Sequence, residues 1–166
     1  MGEVVMRGNV VMKEYFNNPD ATEKAFAGGW FHSGDLVRMD DEGFVYVVDR
    51  KKDMIISGGF NVYPQMIEQA IYTISGVHEV IVLGIPDPYR GEAAKAFIKL
   101  KPGVKPFSLD ELRALLAGKV GKHELPAEVE FVDELPRTPV GKLSRHELRQ
   151  QQKPAQSTQT APGGRS

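Results

Sequence analysis

The organisation of the chain is decided by residues 49–64, which read Asp-Arg-Lys-Lys-Asp-Met-Ile-Ile-Ser-Gly-Gly-Phe-Asn-Val-Tyr-Pro. Residues 49–53 are all charged, which indicates an exposed connection, and we place a domain boundary at Lys52. Residues 54–59 predict a short strand followed by a tight glycine loop. Pro64 stands where a first-turn proline belongs, because the apolar residues after it recur at helical spacing. The stretch therefore separates one structural unit from a second that starts with a strand, a turn and a helix.

The part before this stretch is predicted to be mainly β-structure. Residues 3–7 and 9–12 are β-branched runs that predict strands, and a short helix is expected over residues 20–26 with Asp20 as its cap. Residues 36–48 have a hairpin pattern, in which two apolar runs flank a polar turn. Two or three strands cannot bury both of their faces, so we expect this part to be the end of a larger region.

The part after the stretch alternates between strands and helices. Ser108 with Glu111, and Ser144 with Glu147, have capping-box spacing and predict two helix starts. Apolar runs predict strands near residues 80–84, 94–100 and 129–132.

These elements predict an α+β fold. Residues 1–51 form a residual β segment, the end of a large N-terminal region. Residues 52–152 form a small, mobile C-terminal domain with a β-hairpin and a central sheet packed by about three helices. Residues 153–166 consist largely of Gln, Ser, Thr, Pro and Gly and are predicted to be a disordered tail.

Composition excludes several classes of protein. The 166 residues are 41% apolar and 26% charged, with a net charge of -1, which disfavours a nucleic-acid-binding protein. The absence of cysteine excludes a disulfide scaffold and thiolate catalysis. No apolar run reaches the roughly 20 residues of a membrane span, so we expect a soluble cytoplasmic protein, with peripheral attachment to a membrane left open. The four histidines lack ligand spacing, and no metal site is predicted.

Three polar loops are candidates for chemistry. Asp35 follows a glycine at the start of a strand, where its carboxylate could hold a diol or simply bond its own turn. Arg50 offers a planar fork of donors, although it could equally be a solvated turn residue. Lys142 lies on a glycine-flanked loop that could deliver a positive charge, or it could be an ordinary surface lysine. The late basic residues 137–153 are interpreted first as a solvated face and second as a small phosphate-binding patch.

The order of the motifs resembles the adenylate-forming acyl-CoA synthetases, in the branch of medium- and long-chain fatty acid–CoA ligases. The resemblance covers residues 2 to about 150, nearly everything outside the tail. The motifs that carry it are Gly2-Glu3-Val4, Gly29-Trp30-Phe31-His32-Ser33-Gly34-Asp35, Asp49-Arg50-Lys51-Lys52-Asp53-Met54-Ile55, Ser57-Gly58-Gly59-Phe60-Asn61-Val62-Tyr63-Pro64 and Pro136-Arg137-Thr138-Pro139-Val140-Gly141-Lys142.

The resemblance implies an activity and a role for each motif. Such enzymes activate a carboxylate with ATP to an acyl-adenylate and then transfer the acyl group to CoA. Asp35 and Arg50 match contacts to the ribose and phosphate of AMP, and Lys52 matches the hinge between the two domains. Lys142 matches the catalytic lysine of adenylation.

CoA-binding roles are also implied. Gly58, Gly59 and Phe60 match a loop that lines the pantetheine tunnel, and Arg90 matches a contact to the CoA phosphates. Residues 123–127 depart from the family, because the lysine expected near Glu124 is missing.

The implied partners are a fatty acid, ATP and CoA, and the chain's own N-terminal domain, which would hold most of the ATP and its magnesium. The isolated chain is therefore expected to be inactive. A lysine acetyltransferase acting on Lys142 is a further expected partner. The alternative is a free-standing, non-catalytic module that binds another protein or CoA. Oxidative relatives such as luciferase share the same motifs, and peptide-synthetase adenylation domains usually differ in two of them.

Overall fold

Two separate sheets organise residues 1–152, the part of the chain that the computed structural model describes. The predicted tail, residues 153–166, lies outside the described residues. The first sheet is antiparallel and has the order β1-β2-β3. Its strands are β1 (Gly2–Met6), β2 (Phe31–Met39) and β3 (Val45–Arg50), and helix α1 (Pro19–Ala25) lies between the first two.

Two predictions for this first part were wrong. Residues 9–12 do not form a strand, because the chain turns there: the Val11 N–H donates to the Gly8 carbonyl, and Val10 is 99% exposed with nothing to pack against. Helix α1 is capped by Asn18, whose side chain accepts from the Ala21 N–H, and Asp20 lies inside the helix.

The second sheet is built around one long antiparallel pair, β6 (Val77–Asp87) and β7 (Gly91–Leu100). The other edge of β7 pairs at Gly91 with β4 (Ile55–Ser57), which forms a hairpin with β5 (Phe60–Val62). Farther along that edge, β7 pairs in parallel with β8 (Glu128–Phe131). Both central strands bury apolar residues on both faces, which explains the apolar runs at residues 80–83 and 96–98.

Three helices cover this sheet: α2 (Pro64–Tyr72), α3 (Leu109–Leu116) and α4 (Arg145–Gln151). The larger core cluster joins α2 and α3 to one face, with Ile67, Ile71, Leu112 and Leu116 fully buried. The smaller cluster joins Leu148 of α4 to Phe97 on the opposite face. The predicted α+β fold, with a hairpin and a sheet packed by three helices, is confirmed.

Side-chain caps start two of these helices as the sequence predicts. Ser108 and Glu111 form a reciprocal capping box before α3. Before α4 only one half of the predicted capping box forms: Ser144 accepts from the Glu147 N–H, and the Glu147 side chain does not return a bond to the Ser144 N–H. Of the residues described, no helix is long and apolar enough to cross a membrane.

The connection between the sheets is less exposed than its charges predict. Asp49 and Asp53 are 1% and 7% exposed, whereas Lys51 and Lys52 lie on the surface in a short 3-10 helix, Lys51–Asp53. The carboxylates are buried because they face the start of α2 and the guanidinium groups of α4. The prediction of a fully exposed connection was therefore wrong.

Candidate active site

The turn that carries Lys142 is a small, well-bonded hairpin. Arg137 and Leu143 form an isolated antiparallel bridge, and the Thr138 N–H donates to the Lys142 carbonyl at 2.7 Å. Gly141 has a φ of 82°, a conformation that favours glycine, and its N–H donates to the Thr138 carbonyl at 2.8 Å. The Lys142 side chain is left exposed at the tip of an ordered turn.

Arg137 ties this turn to the sheet. Its guanidinium donates to the Gly141 carbonyl at 2.7 Å and forms an ion pair with Glu79 of β6, which is 9% exposed. Arg145 and Arg149 also pair with acidic side chains. The interpretation of residues 137–153 as a solvated face was wrong for Arg145, whose side chain is only 21% exposed, whereas Arg137 and Arg149 remain 43% and 41% exposed.

Lys142 shares one cleft with two other predicted site residues. Arg50 at the end of β3 and Lys52 in the connection line this cleft together with Thr138 and Lys142. His146 and Arg149 of α4 also line it. A cleft with this many cationic and hydroxyl groups suits an anionic ligand such as a phosphate ester.

Asp35 joins the site through Arg50. The two residues are register partners in the β2–β3 pair, and Arg50 Nε lies 3.6 Å from Asp35 Oδ1. Asp35 donates its N–H to Ser33 Oγ at 3.1 Å, and this hydroxyl donates in turn to the Val4 carbonyl at 2.9 Å. Ser33 and Gly34 line a neighbouring depression that also includes Arg50 and Lys52.

Glu3 braces the strands beside Asp35 and Arg50. Its carboxylate accepts from the Gly34 N–H at 3.2 Å and from Lys51 Nζ at 2.9 Å, and it lies 3.2 Å from His32 Nδ1. The hydrogen bond from Lys51 and then the one from His32 lower the pKa of Glu3 below 4.5. The carboxylate thus links β1, β2 and the connection at the edge of the cleft.

The predicted CoA-binding residues form a second groove, on the β4–β5 hairpin. Gly58 and Gly59 have φ angles of 59° and 84° and make the tight turn, and the Gly58 N–H donates to the Arg90 carbonyl at 2.8 Å. Phe60 follows the turn, and its ring lies 4.9 Å from the ring of His123.

Sequence reasoning missed part of this second groove. Lys122, His123 and Tyr89 line it with Gly58, Phe60 and Arg90. Lys122 lies two residues before Glu124, where the expected lysine is absent, so a cation is present although its position along the chain differs. Only the three-dimensional path of residues 121–124 reveals this.

Asp87 holds Arg90 at the end of β6. Its carboxylate accepts from the Arg90 N–H at 2.8 Å and from the Tyr89 N–H at 2.9 Å. These backbone hydrogen bonds, the one from Arg90 first, lower the pKa of Asp87 below 3.8.

Arg145 forms the floor of the Lys142 cleft. Its guanidinium donates to Glu68 of α2 at 3.1 and 2.5 Å and lies 3.5 Å from Asp49 and 3.7 Å from Asp53. Burial alone would lower the pKa of Arg145. The three carboxylates have the larger combined effect, so the pKa is raised above its ordinary value. Burial raises the pKa of Glu68 above its ordinary value, and the charge of Arg145 and the hydrogen bond from the Val82 N–H reduce this rise without cancelling it. No spacing in the sequence points to this network.

A known family matches this architecture. Residues 66–142, from α2 to the lysine turn, match the model of the AMP-binding enzyme C-terminal domain. These residues therefore form a C-terminal domain of the AMP-binding enzyme type.

Curated and solved relatives include CoA ligases and CoA synthetases. A long-chain-fatty-acid–CoA ligase of Bacillus subtilis is 45% identical over 139 residues, which are 84% of this chain and 25% of that protein. The structure of o-succinylbenzoate CoA synthetase from Bacillus subtilis, in complex with the acyl-adenylate intermediate, superposes with a TM-score of 0.80 at 40% identity. It covers 89% of this chain and 30% of that one.

A third relative is about as similar in sequence as the o-succinylbenzoate CoA synthetase but superposes less well. The Mycobacterium tuberculosis fatty acyl CoA synthetase is 43% identical, with a TM-score of 0.65 over 91% of this chain and 30% of that one. The chain thus spans about a quarter to a third of the relatives it matches. It belongs to the AMP-binding enzymes and carries their C-terminal domain.

Proposed function

We propose that this chain is the C-terminal part of an ATP-dependent fatty acid–CoA ligase, with Lys142 as its catalytic lysine. The observation that carries the proposal is the shared cleft, in which Lys142 lies with Arg50 and Lys52 beside Asp35. Three motifs that are far apart in sequence supply these residues, and they converge on one surface suited to a phosphate ester.

The first half-reaction joins a carboxylate to AMP. A carboxylate oxygen of the acid attacks the α-phosphorus of ATP, the bond to the β-phosphate oxygen breaks, and acyl-AMP and pyrophosphate form. Negative charge grows on the phosphoryl oxygens in the transition state, and the Lys142 ammonium stabilises it. Asp35 accepts from the ribose hydroxyls, and Arg50 holds Asp35 while donating to the phosphate.

The second half-reaction uses the other groove. The CoA sulfur attacks the acyl carbon of acyl-AMP, the bond from that carbon to the AMP oxygen breaks, and the thioester and AMP are released. Gly58, Gly59 and Phe60 line the pantetheine path, and Arg90 contacts the CoA phosphates. We add Lys122 and His123 to this set because they lie in the same groove.

Because the two grooves lie on different elements, we propose that residues 52–152 rotate about Lys52 between the half-reactions. The comparisons give this idea some support. The two relatives with TM-scores of 0.65 and 0.80 are about equally similar to this chain in sequence and cover about the same share of it. A different placement of the two sheets relative to each other in one of them would produce such a difference in TM-score.

A fatty acid is the proposed substrate because the Bacillus subtilis ligase named above acts on long-chain fatty acids. Magnesium and most of the ATP would be held by the rest of the longer protein. Among residues 1–152 there is no group of three or more His, Cys, Asp or Glu side chains placed to hold a metal ion.

The test compares the chain with the longer protein of which we propose it is part. Each is supplied with ATP, magnesium and a panel of saturated fatty acids and aromatic acids, and pyrophosphate release is measured. We expect release only from the longer protein, and fastest with a fatty acid. Release with aromatic acids alone would contradict the fatty acid assignment, and CoA binding without any pyrophosphate release would favour a non-catalytic module.

We also propose that an acetyltransferase regulates the enzyme through Lys142. The side chain is exposed at the tip of the turn and is therefore accessible. Acetylation removes the ammonium charge that adenylation needs, while thioester formation from acyl-AMP does not depend on it. Full adenylation activity in the acetylated longer protein would contradict this idea.

A further inference from the structure

The floor of the Lys142 cleft is an ionic network that crosses the connection between the two sheets. Asp49 is the second-last residue of β3, which belongs to the first sheet, whereas Glu68 and Arg145 belong to helices on the second. Asp49 is fully buried as a side chain, and Arg145 retains 21% of its side-chain exposure. Asp49 also accepts from the Gln65 N–H at 2.7 Å, at the start of α2.

Asp49 and Arg145 are close in sequence to Arg50 and Lys142, which line opposite walls of the cleft. Asp49 directly precedes Arg50, and Arg145 lies three positions after Lys142. The contact between Arg145 Nη1 and Asp49 Oδ1, at 3.5 Å, therefore joins the strand that carries one wall to the helix that follows the other. Arg149 Nη2 lies 3.3 Å from Asp53, but both residues follow Lys52, so this contact lies within the second unit.

We propose that Arg145 is a positioning residue, which holds Lys142 opposite Arg50 by pairing with Asp49 across the connection. The catalytic role of Lys142 rests on the proposed function, but the pairing and its effect on the two sheets do not. Any rotation about Lys52 separates Asp49 from Gln65 and Arg145, because Asp49 precedes the hinge and the other two follow it. The Asp49–Arg145 pair thus stabilises the arrangement of the two units seen in the structure relative to any rotated arrangement.

Because the Asp49–Arg145 pair is buried, it stabilises this one arrangement strongly. An exposed ion pair contributes little because water and salt screen it, whereas removing one partner of a buried pair leaves the other charge without compensation. Asp49→Asn removes the charge facing Arg145 with almost no change in volume. We expect it to shift the ratio of open to closed molecules by about tenfold or more.

The test measures the distance between the sheets in the 166-residue chain, which contains no cysteine of its own. Exposed Glu42, in the β2–β3 turn, and exposed Lys105, before α3, are each replaced by cysteine and spin-labelled. Double electron–electron resonance then gives the distance distribution for the parent, for Asp49→Asn and for a matched control, Glu134→Gln. The control breaks the exposed Lys99–Glu134 ion pair, which lies within the second unit.

We expect one narrow distance in the parent and the control, and a second population in Asp49→Asn. Nuclear Overhauser effects between the register partners Val37 and Val47 show whether the first sheet stays folded. An unchanged distribution overturns the proposal, and so does a broad one that accompanies loss of these effects.

If Asp49→Asn does not fold, Arg145→Lys is measured in the same way. This variant keeps the charge but loses the planar fork that contacts Glu68 and Asp49 together, so a second population is again expected. An unchanged distribution again overturns the proposal. Neither distance measurement uses ATP, CoA or a carboxylic acid substrate. A failure of the positioning proposal is therefore distinguishable from a failure of the ligase assignment.

Discussion

Arg50 lies directly across from Asp35 where β2 and β3 pair, with its Nε 3.6 Å from Asp35 Oδ1. The two side chains are 61% and 37% exposed, so one side of the pair is open to a ligand. An exposed pair contributes at most about 1 kcal/mol to stability, and folding alone gives little reason for it. The partly exposed Asp35 carboxylate, held in place by the Arg50 guanidinium, is suited to accept hydrogen bonds from two neighbouring hydroxyls of a ligand.

Asp35→Asn is expected to weaken nucleotide binding in the longer protein. Loss of charged hydrogen bonds to the ribose costs about 1.5–3 kcal/mol, so the KM for ATP should rise about tenfold to a hundredfold. Steady-state pyrophosphate release measures this. Asp41→Asn, at an exposed position in the following turn, is the matched control. A KM for ATP that is unchanged in Asp35→Asn argues against the ribose role.

Phe60→Ala is expected to impair the CoA step alone. Phe60 is 58% exposed and stacks near His123 in the groove, so its removal takes away contact area for the pantetheine arm without disturbing the core. The KM for CoA should rise about fivefold or more, while that for ATP stays the same. Phe44→Ala, which removes an equally exposed ring from the first unit, is the control. Equal effects of both variants on CoA would contradict the assignment of the groove.

Leu112→Ala and Leu115→Ala form a matched pair on α3. Leu112 is fully buried in the core, whereas Leu115 is 44% exposed. We expect Leu112→Ala to lower the free energy of unfolding by about 2–5 kcal/mol and Leu115→Ala by less than about 1 kcal/mol. Urea unfolding followed by circular dichroism gives both values. Similar losses of unfolding free energy in the two variants would mean that α3 does not turn Leu112 toward the core and Leu115 toward the surface.

The position of this helix could be predicted from sequence, because its determinants are local. The capping box at Ser108 and the leucine spacing that follows depend only on residues within a few positions of one another. The glycine turn at residues 58–59 and the hairpin around it are local in the same way.

Features that depend on distant partners could not be predicted. Residues 49–53 have the composition of an exposed connection, yet Asp49 and Asp53 are buried because arginines almost a hundred residues later come to face them. Residues 9–12 have strand propensity but no neighbouring strand to pair with. Motifs identified the candidate site residues, whereas the network beneath Lys142 required the fold.

A pH effect is expected at the turn that carries Arg90. Because hydrogen bonds from the Arg90 and Tyr89 amides lower the pKa of folded Asp87 below 3.8, its stabilising effect is present above 3.8. That effect is lost as the pH falls through the lower, folded-state pKa. Carboxyl-carbon NMR titration of Asp87 in the folded protein measures the value. A pKa for Asp87 at or above the ordinary 3.8 would contradict the geometry.

The most direct test of the central claim separates the two half-reactions in Lys142→Ala of the longer protein. Adenylation is followed as pyrophosphate release, and thioester formation is followed from preformed acyl-AMP and CoA. Lys119→Ala, which removes a lysine bonded to Thr73 outside both grooves, is the control. We predict that Lys142→Ala slows adenylation by about a hundredfold to a thousandfold and leaves thioester formation within about threefold of the parent. Adenylation at the parent rate, or equal losses in both half-reactions, would contradict the role assigned to Lys142.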